Sequence, residues 1–455
     1  MLFNSHIFLL GFFPLVMLLY YSMVGHAALR LRFLVLASFV FYGWWDWRLL
    51  PLLLASIALN WATGWLWTRR SFPLLIPLAI TLNLLVLGVF KYANFFAELL
   101  MPLFGLPEPH WNILLPLGIS FFTFEQIAWL VELRRGKAPL YRPDEFAFYV
   151  AFFPHLIAGP IVRHNELLPQ PGLNPLREGL AERLGQGLLL LLFGLVKKVA
   201  LADQLAKLAD PLFTTAATIP LAADQTALAA LTFGLQIYFD FSGYTDMALG
   251  LALMLGFVLP PNFNAPYRAL SVQDFWRRWH MTLSRWLRDY LYIPLGGSRH
   301  GAVRQGAALM LTMLLGGLWH GAGLTFLLWG ALHGTVLAAH RLWQTTKLRI
   351  PSFLARALTF AFVMLAWLPF RAPDGTSLAN MARGLGQWSG AAKTEHLALV
   401  AFGLLVVWAF PSSASMAEKR WISHPALAPV AALASFALLM LIGSAQNVTF
   451  IYFQF

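Results

Sequence analysis

The chain has 455 residues, of which 59% are hydrophobic and 11% charged, with a mean hydropathy of +0.66. A soluble domain carries about 25% charged residues, and a soluble fold of this composition would turn large apolar patches to water, so the bilayer is the natural solvent for most of the surface. Lys and Arg total 32 against 20 Asp and Glu, a net charge of +12; no extended soluble basic domain of the kind nucleic acid requires is present, which leaves basic loops at anionic headgroups or an anionic ligand to account for the excess. With no cysteine, disulfides, cysteine-ligated metal and a thiol acyl-enzyme are excluded.

The first apolar stretch, 7–23, has no Lys or Arg before it, unlike the basic start of a secretory signal, and reads as an uncleaved span. At about 20 mostly apolar residues per crossing, further spans are expected near 33–47, 49–67, 73–91 and 113–131. Arg30 and Arg32, Arg69 and Arg70, then Arg134, Arg135 and Lys137 follow alternate spans, whereas the loop after the fourth span carries Glu98 and Glu108. This alternation predicts an N-terminus outside and basic loops in the cytoplasm. The stretch 146–162, with His155 and Gly159-Pro160, is too broken for a simple span and is expected to be re-entrant. A helix over 185–200 is expected to end at Lys197 and Lys198, and 226–259 to hold one span plus part of another, with Asp240 and Asp246 inside. Later apolar stretches lie near 307–319, 322–343, 354–370, 397–410 and 427–443, with 372–396 as an extramembrane excursion. The expected architecture is all-α and polytopic, about ten to twelve membrane helices in one domain, with no internal repeat or separating linker.

Two stretches carry the chemistry. In 262–304, Trp276, Trp279, Leu283, Leu287 and Tyr290 recur at helical spacing on one face, while Arg277, Arg278, Arg285 and Arg288 fall opposite. His280 sits among the tryptophans. An interfacial amphipathic helix explains the tryptophans and arginines, with Asp274 and Asp289 available to pair with neighbouring arginines; it does not explain the histidine. The alternative has the arginines facing an anionic cofactor while His280 points into the membrane. In 314–333, LLGGLWHGAGLTFLLWGALH, His320 lies in almost unbroken apolar sequence among Gly316, Gly317, Gly321 and Gly323. An ionisable residue at such depth points to function, against the plainer reading of a histidine bonded between packed helices. His333 is about 220° round a continuous helix from His320, and His333 with His340 lacks a carboxylate at ligand spacing, so no metal site is expected. Glu125, Glu132, Asp240 and Asp246 can each pair with a basic group or orient a histidine. The G-x-S-x-G elbow of serine hydrolases is absent.

On FWRRWHMTLSRWLRDYLYIPLGG (275–297) and LLGGLWHGAGLTFLLWGALHG (314–334), supported by 118–132, 152–163, 236–257 and FIYFQF (450–455), the chain resembles the membrane-bound O-acyltransferase (MBOAT) family, in particular its bacterial alginate O-acetylation branch. Glu132, where Asp is expected, and His155, where a neutral polar residue is expected, depart from that branch. The resemblance implies a ring of helices around a central tunnel, open to acyl-CoA on the cytoplasmic side and to the acceptor on the other. It implies a catalytic histidine at His320, a second at His280, and Trp279, Trp319 and Asn264 along the tunnel. It further implies acetyl-CoA as donor substrate with no permanently bound cofactor, the inner membrane as location, and an extracytoplasmic partner that decorates an exopolysaccharide.

An acyl thioester is already activated, so the enzyme needs chiefly to deprotonate a hydroxyl and orient the partners. His320 is expected to be the general base, with His280 or a nearby indole N–H holding the carbonyl oxygen; the four arginines are candidates for the phosphates of acyl-CoA. Competing readings are a teichoic acid, lipid or protein acceptor, and a non-enzymatic polysaccharide or lipid transporter built on broken helices.

Overall fold

The structure, a computed structural model, describes residues 1–107, 111–299, 301–346, 348–390, 393–418, 437 and 450–451. Every regular element among them is a helix. In chain order these are α1 (Phe13–Ser22), α2 (Ala27–Gly43), α3 (Leu50–Arg69), α4 (Leu75–Leu100), α5 (Ile119–Arg134), the short α6 (Pro143–Ala151), α7 (Phe153–Leu156) and α8 (His164–Leu167), then α9 (Leu180–Leu195), α10 (Asp203–Ala216) and α11 (Ala223–Met254). They are followed by α12 (Val272–Trp276), α13 (Met281–Leu287), α14 (Gly301–His320), α15 (Leu324–Thr345), α16 (Ser352–Arg371), α17 (Gly375–Arg383), α18 (Thr394–Ala409) and the short α19 (Ser413–Ala417), with short 3-10 and π-helical stretches between. Among the described residues, five helical stretches are long and apolar enough to cross a membrane: Trp47–Arg69, Leu75–Phe104, Leu180–Ala216, Gly301–His320 and Ser352–Arg371; Ile7–Ser22 and Thr394–Ala409 are shorter apolar helices. The expected span at 427–443, residue 437 apart, and the last four residues of FIYFQF lie outside the described residues.

The chain forms two compact units. One comprises Met1–Phe193, Tyr244–Pro260 and Ala417–Ala445. Its 146–162 stretch is indeed too broken for a span: short helices and turns, almost wholly buried. Broken backbone is tolerated there because side chains satisfy it. Glu125 Oε1 accepts the Val162 N–H at 3.0 Å and lies 3.2 Å from His155 Nδ1, and Tyr149 donates its hydroxyl to the Glu125 carbonyl. A second buried network links Asn60, Asn83 and Gln126 across α3, α4 and α5.

The other unit comprises Gly194–Gly243, Pro261–Met416 and Gln446–Phe455. Here the helix expected to stop at Lys197 and Lys198 continues, through a π-helical stretch Val196–Ala202, into α10. Lysines end membrane helices when they must reach water, but Lys198 has no such need. Its ammonium is buried 2.8 Å from Asp203 and 2.9 Å from Asp240, and Asp240 also accepts the Ile451 N–H at 2.7 Å. The same pairing lets α11 run unbroken across 223–254, as one long helix and not a span plus part of another.

The single amphipathic helix expected over 276–291 is interrupted. α12 ends at Trp276, His280 takes a left-handed conformation (φ 41°), and α13 restarts at Met281. Left-handed backbone is costly for a side chain with a Cβ; the neighbouring chain holds it, Met281 N–H donating to the Asn262 carbonyl and Asn264 N–H to the Arg278 carbonyl, both at 2.9 Å.

Candidate active site

α14 and α15 form an antiparallel hairpin turned by Gly321 and Gly323, and glycine determines how close it closes. A Cβ on Gly317 would lie 2.3 Å from the Phe326 carbonyl oxygen, and one on Gly330 2.4 Å from that of Met313. Any side chain at either position would push the helices apart. Their approach sets His320, the last residue of α14, against Trp329 in α15, with ring centroids 5.2 Å apart and planes at 84°. Phe370 of α16, also 5.2 Å away, and Trp319, at 4.9 Å, complete an aromatic enclosure in which His320 is buried.

His280 reaches the same cluster from the left-handed turn. Its ring lies 6.0 Å from Trp319 and 4.7 Å from Phe241, so the Trp319 indole contacts both histidines. Asn262, fully buried, accepts the Thr282 hydroxyl at 2.6 Å and the Thr282 N–H at 3.3 Å through Oδ1; the same oxygen stands 3.3 Å from His280 Nδ1. These donors identify that atom as the amide oxygen, so His280 bonds it as an Nδ1–H tautomer, with the lone pair on Nε2. Nothing in the residue pattern singled out Asn262 beyond its place in a Pro-Pro-Asn-Phe-Asn stretch. Trp279 is buried among Phe263, Phe275 and Trp367. Asn264 is exposed; its backbone ties to Arg278.

A cavity of about 490 Å³ opens beside the aromatic cluster, lined by Gln273, Trp276, Arg277, Arg285, Arg288, Leu287, Thr312, Met313, His340 and Arg341 among others. Three of the four arginines noted in the sequence line it. Arg278 does not; it pairs with Asp274 at 2.9 Å. Arg288 lines the cavity while holding Asp289 at 2.7 Å. Arg277 and Arg341 have no carboxylate partner among the described residues. Arg341, and His340 as a cavity residue rather than a metal partner of His333, lie near the C-terminal end of α15 and carry no signal in the sequence for this role, because other lining residues come from α12, α13 and α14, far away in the chain. His333, expected not to share a face with His320 nor to hold a metal, is buried and accepts the Trp276 indole N–H on Nδ1 at 3.2 Å, which fixes one wall of the cavity.

Met313 on the cavity wall precedes His320 by two turns of α14, about 11 Å along the axis. The arginines come from the 277–288 segment and from α15, and α14 runs from the wall of their cavity at Met313 to the buried imidazole at its own end.

The model of MBOAT, the membrane-bound O-acyltransferase family, matches residues 131–368, a range that takes in both histidines and the cavity. The chain is 39% identical to a probable alginate O-acetylase, AlgI, of Azotobacter vinelandii over 100% of both chains. It is 44% identical to the Pseudomonas aeruginosa protein of the same name, over 82% of this chain and 72% of that one. With a peptidoglycan O-acetyltransferase of Helicobacter pylori it shares 39% identity, over 85% and 80% respectively. Likeness of this length and degree makes the chain a member of the membrane-bound O-acyltransferase family, a multi-pass membrane enzyme that transfers acyl groups to oxygen.

Proposed function

We propose that the chain moves an acetyl group from acetyl-CoA at the cytoplasmic face to a hydroxyl acceptor delivered from the other side of the bacterial inner membrane. In this reading the whole chain, 1–455, acts as one domain, its ring of about ten to twelve helices enclosing the tunnel. The observation that carries it is the arginine-lined cavity on the helix hairpin that ends in His320. Guanidinium groups suit phosphate, and the flexible arm between the phosphates of acetyl-CoA and its thioester spans the two turns to the imidazole. No bound cofactor or metal has a part in the scheme.

His320 takes the proton from the acceptor hydroxyl as the oxygen attacks the thioester carbonyl. The carbonyl electrons move onto its oxygen, the tetrahedral intermediate collapses, and the expelled thiolate recovers the proton from the imidazolium. The hydroxyl proton thus leaves on the CoA thiol, so acetyl and proton change places and no net charge is transferred. The aromatic enclosure excludes water, which protects the thioester from hydrolysis. His280, Trp279 and Trp319 line the reacting region, and Arg277, Arg285, Arg288 and Arg341 hold the phosphates.

Likeness to proteins named for alginate O-acetylation supports an exopolysaccharide as the eventual acceptor, reached through an extracytoplasmic acetyltransferase; likeness to a peptidoglycan O-acetyltransferase keeps a cell-wall glycan as the second reading. The test is transfer of radiolabelled acetyl from acetyl-CoA in native-cell membranes containing His320→Ala at normal abundance. Transfer should fall by about 10²–10⁴-fold, the usual contribution of a general base. Wild-type transfer by that variant would remove His320 from the mechanism, and label found in glycan, lipid or protein identifies the acceptor.

A further inference from the structure

Trp329 carries a buried donor with nothing to donate to. Its side chain is 1% exposed, and its indole N–H has no hydrogen-bond partner among the described residues. Burying such a group unpaired is costly, so its persistence calls for an explanation. Among the described residues no acceptor takes it, although the His320 ring, which carries a lone pair of its own, lies against the indole. The nearest imidazole apart from His320 is His333, with ring centroids 4.8 Å apart. Its Nδ1 lone pair is already taken by the Trp276 N–H at 3.2 Å, which places the His333 proton on Nε2 and leaves that ring no lone pair to offer the indole.

The indole is also immobile. It stacks on Trp367 (6.0 Å, 20°), meets Trp276 and Phe370 edge to face at 5.7 and 5.3 Å, and rides on a helix locked to α14 through Gly330. Its other edge-to-face partner is His320. A rigid, dehydrated, unspent donor beside the base is what stabilising a developing oxyanion requires, because it needs no reorganisation when charge appears.

We propose that Trp329 is a catalytic residue whose indole N–H donates a hydrogen bond to the thioester carbonyl oxygen and holds the negative charge of the tetrahedral intermediate. The proposal rests on His320 acting as the base. The indole keeps its proton throughout: the hydrogen bond shortens as the carbonyl electrons move onto oxygen and lengthens when the carbonyl re-forms and the thiolate leaves.

The experiment compares wild type, Trp329→Phe and His320→Ala in native-cell membranes, with acetyl-CoA and with its dithioester analogue, in which sulfur replaces the carbonyl oxygen and accepts hydrogen bonds poorly. Trp329→Phe keeps an aromatic ring and removes only the donor edge. It should lower kcat with acetyl-CoA by about 10²–10³-fold while moving KM less than about threefold. The rate lost on changing oxygen to sulfur, large in wild type, should shrink in Trp329→Phe; a merely structural role would leave that ratio unchanged. A kcat within about threefold of wild type, or an unchanged oxygen-to-sulfur ratio, overturns the assignment. If Trp329→Phe does not fold, the benzothiophene analogue of tryptophan at position 329, which keeps the bicyclic shape and lacks the N–H, makes the same comparison. Full activity of His320→Ala together with an impaired Trp329→Phe would remove the base and keep the oxyanion donor. The reverse pattern would remove only the donor.

Discussion

The arginine cavity makes a graded prediction, because the structure places four neighbouring arginines in different settings. Arg285 lines the cavity and is half-buried, Arg277 and Arg288 line it while exposed, and Arg278 lies outside it in a pair with Asp274. A hydrogen bond to a charged group contributes about 1.5–3 kcal/mol when shielded, whereas an exposed pair contributes about 0.2–1 kcal/mol after screening. At about 1.4 kcal/mol per tenfold change, Arg285→Gln should raise KM for acetyl-CoA by about 10- to 100-fold. Arg277→Gln should raise it by about two- to fivefold, and Arg278→Gln by less than about twofold, on the same conversion. Turnover at saturating donor should change little, since phosphates are held equally in ground and transition states. The assay is initial-rate acetyl transfer in membranes over a range of acetyl-CoA, repeated at low and high salt, where the Arg277 effect should fade first. If Arg278→Gln matched Arg285→Gln, or if Arg285→Gln left KM unchanged, the arginines would be interfacial anchors and the donor would sit elsewhere.

Three further outcomes follow from other parts of the molecule. Lys198→Met strands two buried carboxylates, Asp203 and Asp240, and should cost about 3–5 kcal/mol, read as a lowered thermal midpoint in detergent; Lys198→Met with Asp203→Asn and Asp240→Asn should recover most of it, and an unaffected single variant would refute the pairing. Gly330→Ala drives a methyl into the Met313 carbonyl, so it should cost about 1–3 kcal/mol and lower kcat by moving Trp329 off His320; Gly306→Ala, where the nearest atom is 3.8 Å away, should do neither. Asp374 caps α17, accepting the Ser377 N–H and hydroxyl at 2.8 Å each, and Asp374→Ala should cost about 1 kcal/mol, seen as faster amide exchange over 375–383. Those bonds, the backbone N–H first, hold the Asp374 carboxyl below its ordinary pKa, so the capping contribution is full above the usual carboxylate range and is lost as pH falls through the lowered value. Exchange that ignores both acid and the substitution would refute the cap.

What was legible in the sequence is what repeats locally. Spans near 49–67 and 73–91 correspond to α3 and α4, both long and apolar enough to cross, because a run of apolar residues is a property of neighbours along the chain. The stretch 372–396, expected to leave the membrane from its Pro373-Asp374-Gly375 turn and scattered charge, holds the short α17, which begins at that turn. What escaped depends on partners remote in sequence. The lysines at 197 and 198 look like a helix end until Asp240 is known to face Lys198. Helical spacing over 276–291 suggested one helix, and only the Asn262 backbone and side chain reveal why His280 breaks it. Arg341 and His333 carried no local signal, because their meaning lies in the cavity and in Trp276.

The break at His280 also narrows the chemistry. Sequence left two candidates for holding the carbonyl oxygen, His280 and an indole N–H. A neutral imidazole has one N–H, and here Nδ1–H points to the Asn262 oxygen, whose identity the Thr282 N–H and hydroxyl determine. Nε2 then offers a lone pair, which repels an oxyanion and does not bind it. For His280 to serve as the donor it would have to surrender the Asn262 bond, yet that interaction is part of what keeps its left-handed backbone in place. The strain at His280 and the choice of oxyanion donor are therefore one problem: the geometry that positions the second histidine removes it from the donor's role and passes that role to an indole.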